Sequence, residues 1–301
     1  FTDSAGNNGV AVTSGSGSVT FDDTVPTLSN IDLSSNNTTT TLAKSGDVVT
    51  LQFEASETIT DPTVTFQSDG TNITNGVTLN KSGNVFTATY TVHTNDSDGT
   101  VTYSIASFAD SAGNNGTTVT SGHSNNITVD TTLPTLSNVS LASNNTNDTS
   151  YAKVNDVVTL TFTASETIQT PTVTFKSDGV AINDTSITYN NTSGDTWTAA
   201  YTANSSDSEG SVTYSIAFTD SAGNNGEAVT SGTGSVTFDR TVPTLTSVSI
   251  ASSNSTNTLA IVNDVITLTL TATEEIQTPV VTFQCGNVAI TDESITYNNT
   301  S

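Results

Sequence analysis

Three acidic positions recur along this chain, successive copies lying 107 to 110 residues apart. Asp22, Asp130 and Asp239 each stand four residues ahead of a proline that opens Pro-Thr-Leu. Glu57, Glu166 and Glu274 each follow an alternating apolar segment. Asp110 and Asp220, with Asp3 as an earlier copy, open the sequence Asp-Ser-Ala-Gly-Asn-Asn-Gly. Carboxylates are hard oxygen ligands, and a group of them suits Ca²⁺, which takes about six to eight oxygens in adaptable geometry. Mg²⁺ suits such a group less, because it demands stricter octahedral geometry and keeps its waters. Asn114 and Asn225 would add amide oxygens. The competing reading is structural, since aspartate commonly caps turns by accepting backbone N–H bonds. Residue type and spacing leave both readings open, and calcium is the cofactor they point to.

The rest of the chain cannot neutralise these acids. It holds 29 Asp and Glu against 5 Lys and Arg, a formal net charge of −24. Carboxylates gathered without a cation repel one another. The same balance excludes a nucleic-acid partner, which needs a basic footprint. Catalysis is excluded on other grounds. His93 and His123 have no counterparts in the second copy, and neither belongs to a nucleophile, base and orienter arrangement, so the chain is read as no enzyme. Cys285 is the one cysteine and stands where the other copies have Ser68 and Ser177, so there is no disulfide framework. No segment has the length of a membrane span. The remaining recurrent acids are read as turn residues: Asp47, Asp156 and Asp264, and the pairs Asp96 with Asp98 and Asp207 with Glu209, which adjoin Gly99 and Gly210.

A period this long is the size of a whole small domain, not of a solenoid unit. Pro26, Pro134 and Pro243 divide the chain into residues 1–25, the last strands of a preceding unit; 26–133 and 134–242, two full units; and 243–301, the first part of another. The two partial ends together supply 84 residues, short of one period, so the chain is expected to be a window on a longer array. Serine and threonine make up about a third of it, which favours strands and turns over helices. Within 26–133 the period-two alternation predicts strand A at 28–33, B at 48–53, C around Val64 and Phe66, a short strand at Val77 and Leu79, E over 86–92, F over 101–105 and G over 119–129. The Asn-Asn-Gly before strand G reads as a tight hairpin turn. Trp197 takes the place of Phe86, in phase with the alternation, and is read as a core residue. About seven short strands per unit predict an all-β chain of antiparallel β-sandwiches.

The Pro-Thr-Leu start, the Ala-Ser-Glu-Thr-Ile after strand B, the Gly-X-Val-Thr-Tyr-Ser-Ile strand and the Asp-Ser-Ala-Gly-Asn turn resemble bacterial-type immunoglobulin-like tandem repeats of large surface proteins and adhesins. The resemblance covers the whole chain. It implies tandem immunoglobulin-like sandwiches, an extracellular or cell-surface location, and calcium at the junctions between repeats. In such a sandwich strands B and F both run toward the pole where strand A begins. The B–C and F–G loops then surround the arriving linker, so Asp22, Glu57 and Asp110 are expected to meet at one junction and Asp130, Glu166 and Asp220 at the next. Asp239 and Glu274 would begin a third.

The function expected is that of a structural segment, a stalk or fibre stiffened by calcium that supports adhesion or a surface filament. Its partners are neighbouring repeats of the same chain and like copies in a filament or coat. The alternative is a glycan- or protein-binding module using loops of each repeat. The F–G turn is nearly identical in all copies, so a partner contact is sought instead in the C–E region, residues 68–84 and 177–195.

Overall fold

The computed structural model describes residues 1–74, 76–182, 187–291 and 295–299. Its regular structure is entirely β. Repeat one contributes β1 (Leu28–Ser35), β2 (Leu42–Ala43), β3 (Val48–Ala55), β4 (Thr63–Ser68), β5 (Thr71–Asn72), β6 (Thr78–Ser82), β7 (Val85–Thr91), β8 (Gly99–Ala106) and β9 (Thr128–Val129). Repeat two follows with β10 (Leu136–Ser143), β11 (Tyr151–Ala152), β12 (Val157–Ala164), β13 (Thr172–Ser177), β14 (Val180–Ala181), β15 (Thr188–Ser193), β16 (Thr196–Thr202), β17 (Gly210–Ala217) and β18 (Val236–Phe238). The chain then supplies β19 (Leu245–Ser252), β20 (Ile266–Ala272), β21 (Gln284–Cys285) and β22 (Val288–Ala289). Four expected stretches lie outside the described residues: Asn75 and residues 183–186 in the C–E regions, and 292–294 and 300–301 in the last unit.

Each full repeat is two sheets face to face. In repeat one their orders are β1-β3-β7-β6 and β2-β9-β8-β4-β5; repeat two repeats both as β10-β12-β16-β15 and β11-β18-β17-β13-β14. This is the strand order of an immunoglobulin-like sandwich in which the first strand crosses from one sheet to the other. The seven expected strands are present, and β2 and β5 are two additional short ones. Alternation sorts the faces: Val49, Leu51 and Phe53 on β3 and Phe86, Ala88 and Tyr90 on β7 point into one core. Phe53 stacks on Phe86, ring centroids 5.2 Å apart. In repeat two Trp197 pairs with Phe162 in the same register and lies within that repeat's own core. Each core draws its buried residues from one repeat alone. Residues of the last unit assemble no such cluster among those described, and Val248 and Ile250 remain exposed.

Strand G differs from expectation. Only Thr128–Val129 forms a strand, with one earlier bridge between Val119 and Ile105. Strand direction fixes the poles. β1 starts beside the end of β3 (Leu28 opposite Ala55) and finishes beside its beginning (Ser35 opposite Val49). β2 leads into β3 at that second pole, and β9, parallel to β2, leaves there. The chain therefore enters a repeat at one pole and exits at the other. The amide of Asp130 donates to Ala43 O at 2.9 Å and that of Asp239 to Ala152 O at 2.9 Å, pinning each linker to its exit pole.

Candidate metal centres at the repeat junctions

The F–G turn, residues 108–116, is built around one carboxylate. Asp110 Oδ1 accepts the backbone amides of Ala112 (2.8 Å), Gly113 (2.7 Å) and Asn114 (2.8 Å), and Oδ2 accepts the Asn114 side-chain amide at 2.8 Å. Asp220 accepts the backbone and side-chain amides of Asn224, both at 2.8 Å. Asp3 is bonded in the same way by Ala5 and Asn7. The residue with left-handed backbone is Gly113 (φ 97°) or Gly223 (φ 88°), not the Asn-Gly step read as a hairpin turn. Gly116 is needed for a different reason. The Phe108 ring lies so close that a Cβ there would sit 1.9 Å from Cε2, and Gly226 meets Phe218 similarly at 2.1 Å.

Backbone bridges Ile59–Asp110 and Ile168–Asp220 hold this turn against the B–C loop, which carries Glu57 or Glu166. The turn also grips the linker: Asn114 Nδ2 donates to Asp22 O at 3.2 Å and Asn224 Nδ2 to Asp130 O at 2.9 Å. Linker, B–C loop and F–G turn thus converge. Asp22, Glu57 and Asp110 each place a carboxylate oxygen within 4.8 Å of the others, and so do Asp130, Glu166 and Asp220. The asparagine counterpart of Asn114 is Asn224, not Asn225. Both asparagines act as clamps that donate to the aspartate, so they are not free oxygen ligands.

Within each triad the acids are unlike. Asp110 is buried, and the Asn114 side chain, aided by backbone amides, holds its carboxyl below the usual range. That is the turn-capping role, and it leaves little lone-pair capacity. The glutamates are the opposite case: burial and neighbouring charge, not hydrogen bonds, act on the Glu57 and Glu166 carboxyls. Burial first, then the charges of Asp110 and Asp22, push Glu57 up. Burial, then Asp130 and Asp220, push Glu166 up. Asp130 is raised by burial and by Asp220. Among the described residues the one ion pair, Arg240 with Glu209 at 3.9 Å, involves none of these acids. An all-oxygen donor set in which Glu57, Glu166 and Asp130 hold protons more tightly than usual, with no ammonium or guanidinium pairing among the described residues, fits a hard divalent cation.

The third junction is not assembled as a triad. Asp239 Oδ1 accepts the Thr241 amide at 2.9 Å, as Asp22 and Asp130 accept Thr24 and Thr132. Glu274 Oε1 is buried without a hydrogen-bond partner among the described residues. Among those residues no third acid joins Asp239 and Glu274.

One participant is not evident from sequence. Asp98, which the sequence marks as a turn residue, lies toward the exit pole and accepts the Thr131 amide (2.7 Å) and the hydroxyls of Thr131 (2.8 Å) and Thr132 (2.5 Å). Burial pushes its carboxyl up, and the bonds from Thr132 and Thr131 outweigh that and leave it lowered. Its charge adds to the field that raises Asp130 and Glu166. In tandem repeats the far pole of one unit is the near pole of the next. Glu209 takes the same place one repeat on, accepting the Arg240 amide and the Thr241 hydroxyl at 2.8 Å each. Asp47, Asp156 and Asp264 are turn acids as expected, each accepting an amide three residues earlier.

No family model matches the chain, and no curated protein matches it. Among solved structures it is similar to a three-domain immunoglobulin structure of titin, I67–I69 in an E-to-A variant, at 12% identity over 89% of this chain and 82% of that one, with a TM-score of 0.42. The titin tandem A164–A165 is similar at 12% identity over 72% of this chain and 98% of that one, TM-score 0.27. Tandem immunoglobulin repeats of Dlar are similar at 12% identity over 72% and 99%, TM-score 0.22. The fold assignment rests on the strand order described above.

Proposed function

We propose that this chain is a structural segment of a long extracellular or cell-surface array. In this reading tandem immunoglobulin-like repeats project or pack a larger assembly, and calcium stiffens their junctions. The observation that carries the reading is the convergence of linker, B–C and F–G carboxylates into two corresponding triads that have no ion-paired lysine or arginine among the described residues. Glu57 and Glu166 would supply free carboxylate oxygens, Asp22 and Asp130 linker oxygens, and Asp110 and Asp220 the fixed wall of the site. A bound cation would supply the positive charge that the chain lacks. Three segments that repel one another would then become three segments drawn together, which restricts the linker.

The binding-module reading loses its F–G loop at the second junction, where Ala222 and Asn224 are buried. Surface glycans or proteins as ligands would have to use the C–E region instead.

Calcium titration of the whole chain by calorimetry tests the proposal, paired with small-angle scattering in calcium and in chelator. Saturable binding at about two sites, with a longer and narrower end-to-end distribution in calcium, is expected. Absence of heat and of any scattering change at millimolar calcium would return the six acids to turn-capping and remove metal from the account.

A further inference from the structure

The F–G turn of repeat two reaches past its acid triad and rests on repeat one. The Asn37 side-chain amide donates to Ala222 O at 2.9 Å and to Asp47 Oδ2 at 2.6 Å. Thr39 Oγ1 donates to Ser221 O at 3.5 Å. A Cβ on Gly223 would lie 3.4 Å from Lys44 Cε, ordinary van der Waals contact across the junction. Ala222 is 1% exposed and Asn37 6%. The turn of repeat one, Ser-Ala-Gly at 111–113, is identical in sequence, yet Ala112 is exposed and nothing lies within 4 Å of a Cβ on Gly113. Burial of Ala222 therefore comes from repeat one and not from the turn's own fold.

The receiving loop is built alike in every repeat. Asp47 Oδ2 accepts the Lys44 amide (2.8 Å) as well as Asn37 Nδ2, and Asn37 Oδ1 accepts the Thr39 amide (2.8 Å). Asn145 bonds Asp156 at 2.7 Å and Asn254 bonds Asp264 at 2.9 Å in the same arrangement. At these two asparagines no second acceptor engages the amide among the described residues; at Asn37 that second acceptor is the docked turn. We propose that this loop is a docking surface for the Ser-Ala-Gly turn of the repeat that follows, so that successive repeats are indexed by a direct contact needing no metal. A carbonyl presented by two small residues can approach the asparagine closely, and the contact pairs a neutral donor with a neutral acceptor. The inference does not rest on calcium, since neither Asn37 nor Ala222 belongs to the triads.

The test uses the whole chain carrying C285S, which restores the serine of the other copies, with one spin label on an exposed strand position in each of repeats one and two. Distances are measured by pulsed electron resonance in chelator, and the fold of repeat two is followed by Trp197 fluorescence. The unsubstituted chain and Ala112→Arg should share one narrow distribution. Ala222→Arg, placed where no side chain fits, should widen it about twofold, the freedom expected of unlatched neighbouring domains. Trp197 unfolding should be unchanged. Asn37→Ala, which alters only repeat one, should widen the distribution similarly and serves as the reading should Ala222→Arg disturb repeat two. A distribution equally broad in all forms, or narrowing only when calcium is added, overturns the proposal; the latter result leaves the calcium reading standing.

Discussion

Glu166→Gln separates the two roles of the junction acids by sign. Glutamine has the shape of glutamate and keeps one oxygen ligand, but removes a negative charge. Glu166, Asp130 and Asp220 bring carboxylate oxygens within 4.8 Å of one another. A like-charge pair at that separation costs about 1 kcal/mol in bulk water and about 3.5 kcal/mol at an effective dielectric of roughly 20. Glu166 is only partly buried, so solvent and salt pull the value toward the lower limit. Removing one charge relieves two pairs, and repeat two should gain about 1–2 kcal/mol in chelator. For a unit of this size each kcal/mol moves the melting temperature by about 4–8 °C. In calcium the sign should reverse. Ligand binding stabilises by RT ln(1 + [L]/Kd), and a site weakened about a hundredfold by loss of one carboxylate forfeits about 2.8 kcal/mol of it at saturation, more than the gain in chelator. Trp197 is the one tryptophan and sits in the core of repeat two, so its fluorescence during urea unfolding reports that unit alone. A variant less stable than the parent in chelator would refute the repulsion argument. An equal difference in both buffers would refute the ion site.

Acidity offers a second handle. Glu57, Glu166 and Asp130 have raised pKa values, so the folded chain holds their protons more tightly than the unfolded one. In chelator, melting temperature should therefore rise as pH falls from neutrality toward the ordinary values of 4.5 for Glu and 3.8 for Asp. It should drop again below 3.8, where the lowered Asp110 and Asp98 take up protons and lose their stabilising bonds; a steady decline from neutral pH would contradict this. Gly226→Ala should destabilise repeat two by about 1–3 kcal/mol or more in the same Trp197 assay, because its methyl would overlap the buried Phe218 ring. A neutral result there would mean that the ring moves aside freely.

The strands that carry several core residues could be read directly. Val49, Leu51 and Phe53 alternate over enough residues to declare both a strand and its buried face. The two-residue β2 and β5 have no room for a period and gave no such signal. Strand G is shorter than expected because residues 120–126, between Val119 and Ile127, hold no apolar residue to pack on the core, and no continuous ladder forms there. At the site, repetition singled out the acids and strand direction brought them together. The sequence marks Asp98 as a turn acid and not as a junction acid, because its partners, Thr131 and Thr132, belong to the linker toward the next repeat. Its role lies between units, where periodicity within a unit is silent. The Asn-Gly dipeptide misled for a related reason. Its glycine answers to the Phe108 ring and not to a dihedral requirement, and the two demands look the same in a sequence.

The parallel pairing of β2 with β9 decides how a repeat would carry load. Chain enters at one pole and leaves at the other, so tension along the chain pulls the two strands past each other lengthwise. The bonds from the Thr128 amide to Thr41 O and from the Asp130 amide to Ala43 O, each 2.9 Å, lie across that direction and resist together. Strands joined at a hairpin would instead open one bond at a time. Asp130 thus belongs to two devices at once: its backbone amide closes the patch of repeat one that such tension would shear, while its side chain faces the acids of repeat two. Whatever fixes that side chain bears on how firmly the patch behind it is clamped.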